Sequence, residues 1–417
     1  MSISFDVHSD PTVMRTAREI ALENFEMPGA MSFEPRERYR WLREAGSALW
    51  LDTGDADAAQ QVWAAEVDAL TTNSTLVNQV VQTGAFDGVV AYAAREIRKA
   101  RPDMQERDLV IEVGFVVNAR LALSLVSRFG ARVSVELHPD LAGDAQRTVI
   151  FARRYYEICP EYFYIKIPLT PDGMVAAREL ARLGIPINLT VGFSARQNYF
   201  IARFARPAFV NVFLGRLNSL VEENHLGKPV NVGEKAALAS SEAIRVLRET
   251  DPELPTRQIA ASMRSGAQVP VLAGVDVLTI PPKVAAEYLA MQLAVSDIGG
   301  RRSTELSVEL APGVDLSELW EIDNAFIVFV EDAVVQANSM TTGAQLADLA
   351  RKHDQNIFHT WTNEERAQIR ERGKIPSLEQ WPGIAVDDLM TTAALESFSA
   401  DQMELDARVE RLVREST

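Results

Sequence analysis

The sequence predicts an α/β chain built as a (β/α)8 TIM barrel with a helical extension at each end. Eight short apolar runs alternate with longer segments whose apolar residues recur every three or four positions, the rhythm of parallel βα units joined by crossovers. Eight such units within about 240 residues are enough to close a barrel. Before residue 48 and after about residue 290 the pattern is helical only. The expected organisation is therefore an N-terminal helical extension over 1–47, a barrel over 48–295, and a C-terminal helical extension over 296–417 packed on the barrel.

In chain order, TAREIALENF and PRERYRWLREAG mix apolar and charged residues as surface helices do. The expected strands are Ala48–Asp52, Val67–Thr72, Arg132–Glu136, Tyr162–Ile167, Pro186–Thr190, Ala208–Val212, Gln258–Ser262 and Asp276–Ile280. Between them Asp140–Ile158, Asp172–Leu183 and Glu234–Glu249 have helical spacing. Leu109–Val117 (LVIEVGFVV) has the apolar content of a ninth strand, but its place between strands two and three makes it the start of a helix. In the tail, Leu316–Val335 is strongly apolar, and Gly343–Lys352 and Ser397–Arg414 are amphipathic. No low-complexity linker divides tail from barrel.

Composition narrows the function. Of 417 residues, 47% are hydrophobic and 24% charged, and the net charge of −16 opposes nucleic acid and anionic membranes. A phosphorylated substrate would need a local Arg or Lys cluster. The start, MSISFDVHSDPTVMR, lacks a basic segment followed by an apolar one, and no run of about 18 apolar residues occurs, so neither a secretion signal nor a membrane span is expected. The single Cys159 excludes an internal disulfide and suits a reducing cytoplasm. His353 and His359 lack further ligands at metal spacing, and no Gly-rich phosphate loop is present, so neither metal nor cofactor is expected. A homo-oligomer is left open.

The chemistry centres on Tyr162–Thr170 (YFYIKIPLT), an apolar run between Pro160 and Pro171 with Lys166 in its middle. Lys occurs only seven times among the 42 basic residues, so one placed in a buried strand stands out. Taken alone, it could be a strand-end lysine that snorkels to solvent. The other strand ends change that reading, because in a barrel they converge on one mouth. They carry Asp52, Asn73, Glu136, Asn188, Thr190, Asn211, Ser262 and Arg264, with Arg216 just beyond in FLGR. Any one Asn, Thr or Ser there could simply cap the next helix. A lysine with two carboxylates and two arginines at one mouth suits Schiff-base chemistry on a phosphorylated carbonyl compound. Arg216 and Arg264 offer forked donors to phosphate, and Ser262 adds a hydroxyl.

These residues carry a resemblance to the transaldolase family, in the segments LDTGD (51–55), TTNSTL (71–76), RVSVELHPDLAGD (132–144), YIKIPLTPDG (164–173), INLTVGFSARQ (187–197), FLGRL (213–217) and ASMRSGAQVPVLAGVDVLTIPP (261–282). The resemblance leaves out 1–45 and most of 300–417. It implies a barrel that moves a dihydroxyacetone unit from sedoheptulose 7-phosphate or fructose 6-phosphate to an aldose phosphate in the pentose phosphate pathway. By the same resemblance Lys166 forms the Schiff base, Asp52 takes and returns the hydroxyl proton, and Glu136 works through a water held by Thr190. Asn73 and Asn188 would bind the three-carbon unit, Arg216, Ser262 and Arg264 the phosphate, and Phe213 would line the site.

Two motifs depart from the family pattern. Ser74-Thr75 replace the Pro-Ser pair of TTNPS, and Asn211 stands where the family normally has Ser, facing the three-carbon unit. Asn is larger and both donates and accepts, so substrate preference is affected more than chemistry. The alternatives are a relative acting on an unusual sugar phosphate in secondary metabolism, or a catalytically silent scaffold. A simple aldolase releasing dihydroxyacetone fits less well, since such relatives tend to carry Gln and Tyr in place of Glu136 and Phe213.

Overall fold

The computed structural model describes residues 6–415; the first five residues of the start read for a secretion signal, and residues 416–417 of the C-terminal extension, lie outside the described residues. Eight parallel strands close into a barrel in chain order: β1 (Ala48–Asp52), β2 (Val67–Thr71), β3 (Arg132–Glu136), β4 (Phe163–Pro168), β5 (Ile187–Thr190), β6 (Phe209–Phe213), β7 (Arg257–Ala261) and β8 (Val277–Ile280), with β8 pairing back onto β1. The expected (β/α)8 barrel with helical extensions is the observed fold. The expected strand bounds hold to within one residue.

Two helices precede the barrel, α1 (Pro11–Leu22) and α2 (Glu37–Glu44). Its crossovers contain α3 (Ala56–Val62), α4 (Ser74–Gln82), α5 (Asp87–Ala100), α6 (Glu106–Phe129), α7 (Ala145–Ile158), α8 (Pro171–Arg182), α9 (Ala195–Phe204), α10 (Leu214–Glu223), α11 (Val232–Thr250) and α12 (Gln268–Val271). After β8 come α13 (Pro282–Ala290), α14 (Asn324–Gln336), α15 (Gly343–Lys352), α16 (Asn363–Arg372) and α17 (Val386–Glu415). Leu109–Val117 lies inside α6, as the helical reading requires.

Helix α6 is apolar around most of its circumference because it is covered on most sides. Among the described residues it is one helix long and apolar enough to cross a membrane, yet 78% of its apolar window is buried inside the protein. Its one deeply buried charge, Glu112, receives two hydrogen bonds from Arg154 of α7, at 2.7 and 2.5 Å, and lies 2.6 Å from Nδ1 of His8. Burial alone would raise the Glu112 carboxyl, but the Arg154 guanidinium outweighs it and the net shift is downward. This cluster ties the N-terminal extension to the outer helical layer.

Strand periodicity sorts the barrel interior into levels. Near the N-terminal end, Trp50 stacks on Tyr164 (centroids 5.3 Å apart, 10° between planes), and Phe209 meets both rings edge-on at 4.8 and 4.9 Å. Two residues further along the same strands stand Asp52, Lys166 and Asn211. The aromatic level thus plugs the barrel below, and the polar level faces the mouth.

Helix α17 crosses that mouth. Its 30 residues span about 45 Å at the helical rise. At its start the buried Asp387 accepts from Ser194 Oγ (2.7 Å) and from Arg196 Nε and Nη2 (both 2.8 Å), just after β5. Thr391 Oγ1 donates to the Val191 carbonyl at 2.9 Å. Towards its end, Thr75 binds Asp401, Asn78 Nδ2 donates to Glu404 at 3.0 Å, and Arg408 grips Asp87 with contacts of 2.7 and 2.8 Å. Asp406 pairs with His138, just beyond β3, at 3.1 Å.

The first turn of α17 carries a pH response. Asp388 is buried beside Asp387 and accepts the His359 N–H at 3.0 Å. Burial pushes its carboxyl well above the usual range; the His359 bond and Arg196 oppose this, while Asp387 adds repulsion. A carboxyl raised in the folded state binds more protons folded than unfolded, so stability falls as pH climbs from the ordinary carboxylate range through the raised value. Asp388→Asn keeps the acceptor and removes the titration. Between about pH 5 and about pH 9 its melting temperature should therefore fall less than that of the wild type. Equal pH slopes in thermal unfolding would reject this role.

Candidate active site

Neighbouring strands bring the polar residues together by register. Glu136 on β3 is paired with Lys166 on β4, and Lys166 with Asn188 on β5; Pro168 pairs with Thr190. On the far side Asp52 of β1 is paired with Thr71 of β2. The mouth holds a cavity of about 140 Å³. Among its lining residues are Asp52, Asn73, Lys166, Asn188, Thr190, Asn211, Phe213, Arg216, Ser262 and Arg264. Of the residues singled out in the sequence, only Glu136 is not on this surface, and it touches Lys166 from behind.

Lys166 is 4% exposed. Its Nζ donates to the Thr72 carbonyl at 3.0 Å and to Glu136 Oε2 at 3.4 Å. Snorkelling to bulk water is therefore not what this lysine does. Burial pushes the Glu136 carboxyl up, opposed by Lys166. Asp52 is also raised by burial, with Lys166 and the 2.8 Å hydrogen bond from Thr71 Oγ1 pulling against it. Both carboxyls thus hold protons to a higher pH than solvated ones do, a property suited to acid–base exchange. Glu136 also lines a separate buried pocket of about 20 Å³, with Asn118, His138 and Tyr155.

Some polar strand-end residues are helix caps and some are not. Asn73 caps α4, its Oδ1 accepting from Leu76 N–H at 3.0 Å, while the residue still borders the cavity. Asn188 is braced on both sides: Nδ2 donates to Ser134 Oγ at 3.1 Å, and Oδ1 accepts from Asn211 Nδ2 at 3.3 Å. Asn211 Oδ1 in turn accepts the Gly192 N–H at 3.3 Å, so the larger side chain at this position links β5 to β6. Thr190 differs, because its buried Oγ1 has no hydrogen-bond partner among the described residues. The next residue, Val191, is held at φ +63°, rare for a β-branched side chain. Such strain persists where surrounding structure enforces it, commonly at functional sites.

At the other end of the cavity stand three cations. Gly215 packs so closely on the β7 loop that a Cβ would lie 2.0 Å from the Ser262 carbonyl and 2.8 Å from Arg264 Cγ. Only glycine permits this approach, which brings Arg216 beside Arg264. Ser262 itself sits at φ +66°. Arg216 is buried, and burial together with the Arg264 charge pushes its pKa down to about 10. Lys374 joins the lining, and its carbonyl accepts from Arg216 Nη1 at 3.4 Å. None of the three forms an ion pair among the described residues. Guanidinium groups held together without a direct ion pair to a carboxylate, in a chain of net charge −16, make a local anion site.

Among the lining residues that the sequence did not point to are Lys374 and Phe398. Both come from the C-terminal extension, and no motif marks either. Phe398, on α17, lies with its ring centroid 5.9 Å from Lys166 Nζ, 5.3 Å from the Arg216 guanidinium and 6.3 Å from the Phe213 ring.

Comparison with known proteins assigns a family. The sequence profile of one family, transaldolase/fructose-6-phosphate aldolase, matches residues 49–323. A transaldolase of Chlamydia muridarum (strain MoPn / Nigg) is 27% identical over 307 residues, covering 72% of this chain and 89% of its own length. A transaldolase of Xanthomonas euvesicatoria pv. vesicatoria (strain 85-10) is 31% identical over 253 residues, covering 58% of this chain and 74% of its own.

Proposed function

The chain belongs to the transaldolase/fructose-6-phosphate aldolase family, and from that premise we propose that it transfers a dihydroxyacetone unit between sugar phosphates through a Schiff base on Lys166. The observation that supports this most is the buried Lys166 amine, in contact with Glu136 and opening onto a cavity that ends in unpaired cations.

In this reading the ketose carbonyl carbon is attacked by the Lys166 amine and loses water to give an iminium. The iminium draws electrons from the bond between the third and fourth carbons. Asp52 takes the proton of the fourth-carbon hydroxyl as that bond breaks, and an aldose phosphate leaves. The three-carbon enamine then attacks the incoming aldehyde, and Asp52 returns the proton. Glu136 exchanges the protons of carbonyl addition and water loss, with the unpartnered Thr190 hydroxyl placed to position water. Asn73 and Asn188 hold the hydroxyls of the three-carbon unit, and Phe213 walls it. Arg216, Ser262, Arg264 and Lys374 hold the phosphate. Asn211 fixes the Asn188 amide and sets which sugar is preferred. Sedoheptulose 7-phosphate and fructose 6-phosphate are the donors that fit, as in the pentose phosphate pathway. The buried Cys159 thiol, pushed up to about 11 by burial, is compatible with a reducing cytoplasm.

Incubation with fructose 6-phosphate followed by borohydride reduction should add one dihydroxyacetone unit to the intact mass. No adduct with any ketose phosphate would reject lysine chemistry. Arg264→Ala should raise KM for the phosphorylated donor about tenfold to a hundredfold, the loss of roughly 1.5–3 kcal/mol from one charged hydrogen-bonding group, with a smaller change in kcat. An unchanged KM would place the phosphate elsewhere.

A further inference from the structure

We propose that Phe398 determines the fate of the bound three-carbon enamine, by shielding it from water so that transfer prevails over release of free dihydroxyacetone. This rests on the Lys166 chemistry proposed above and assigns its specificity to a residue outside the matched region, which ends at residue 323.

The geometry is that of a cover. Phe398 is 4% exposed, lines the mouth cavity and lies over Lys166, Arg216 and Phe213 together. Its backbone belongs to α17, which is fastened on both sides of the barrel axis. Asp387 and Thr391 hold one side, near β5, and Asp401 and Glu404 hold the other, over α4. A ring mounted between two sets of anchors keeps its position while substrates come and go. Were it only a packing residue for α17, it would face the outer helices. Instead it faces Lys166, the buried lysine of the barrel interior.

The two fates differ in what the enamine carbon meets. In transfer it forms a carbon–carbon bond to the acceptor aldehyde, whose oxygen gains a proton, and water then hydrolyses the new iminium to free the product ketose phosphate and the Lys166 amine. In release it takes a proton from water instead; a second water then adds to the iminium and expels the lysine amine. The ketose phosphate has then been split into dihydroxyacetone and an aldose phosphate, with no change of oxidation state overall. Keeping water from the enamine carbon suppresses the second course, while the water that Thr190 and Glu136 hold at the imine carbon remains for the hydrolysis both courses need. With its centroid 5.9 Å from Lys166 Nζ, the ring also stabilises the cationic iminium there. Each course therefore begins from a shielded cation, and shielding of the later, neutral enamine decides between them.

The test measures free dihydroxyacetone and transfer product in one reaction, with fructose 6-phosphate as donor and erythrose 4-phosphate as acceptor. Phe398→Ala should raise the ratio of release to transfer at least about tenfold while still forming the borohydride-trapped adduct. Phe398→Leu restores an apolar cover and should keep the ratio near the wild type, and Phe398→Val should fall between. The graded series answers the question even if the alanine variant does not fold. Wild-type transfer with a ratio unchanged across the folded variants would overturn the role of Phe398 alone. A wild type that forms no adduct and transfers nothing would overturn the proposed function and this inference with it.

Discussion

Lys166→Ala should lose the trapped adduct entirely, with turnover lower by roughly 10⁴-fold or more, the scale seen when a covalent nucleophile is removed. The reason lies in the barrel register. Lys166 is placed between Glu136 and Asn188 on adjacent strands, and no other lysine shares that level. The variant also strips the cation from beside two buried carboxyls, whose pKa values rise further without it. They respond by staying protonated, which spares the fold the cost of buried unpaired charge. Far-ultraviolet circular dichroism should accordingly stay native-like while activity vanishes. An adduct that persists in Lys166→Ala would place the Schiff base on another amine.

Asp52→Asn separates the steps. The Schiff base still forms, because nothing in carbonyl addition needs this carboxylate, so the borohydride adduct appears with the mass of the intact ketose phosphate. Bond cleavage loses its base, and kcat should fall about 10²–10⁴-fold. The pH profile adds a second readout. Burial raises Asp52, and the base must be ionised to act. In the wild type, kcat/KM therefore declines as pH falls through that raised value, above the ordinary carboxylate range. In Asp52→Asn this limb disappears, leaving the one that Glu136 imposes. A variant with the wild-type acid limb and unchanged cleavage would assign the proton to another group.

The barrel was legible in the sequence because each strand is short, apolar and bounded by turn residues, and because the polar strand ends share one mouth. Lys166 shows how legibility depends on context. Alone it resembled a snorkelling residue, and the seven other strand ends turned it into a centre. Helix boundaries followed the same physics. Asp140–Ile158 has helical spacing throughout, but Asp144 caps α7, so the helix starts at Ala145. In Leu316–Val335, Asp323 caps α14 and leaves a short 3₁₀ turn, Ser317–Leu319, outside it.

The largest miss was α17, expected from Ser397 and found from Val386. Val386–Phe398 is buried on every side, so it lacks the one-faced stripe by which surface helices are recognised. Lys374 and Phe398 reach the site only because distant stretches of chain fold back over the mouth. No local spacing encodes such a contact.

The aromatic and apolar levels of the barrel, and every strand, leave the ribosome before α17 does. Translation runs from the N-terminus, and domains fold as they emerge. A nascent chain that has only passed β8 therefore still lacks Asp387, the carboxylate that Ser194 and Arg196 contact in the finished fold. Until α17 arrives, the mouth lacks Phe398 and the carboxylates that fasten the helix over β5 and α4.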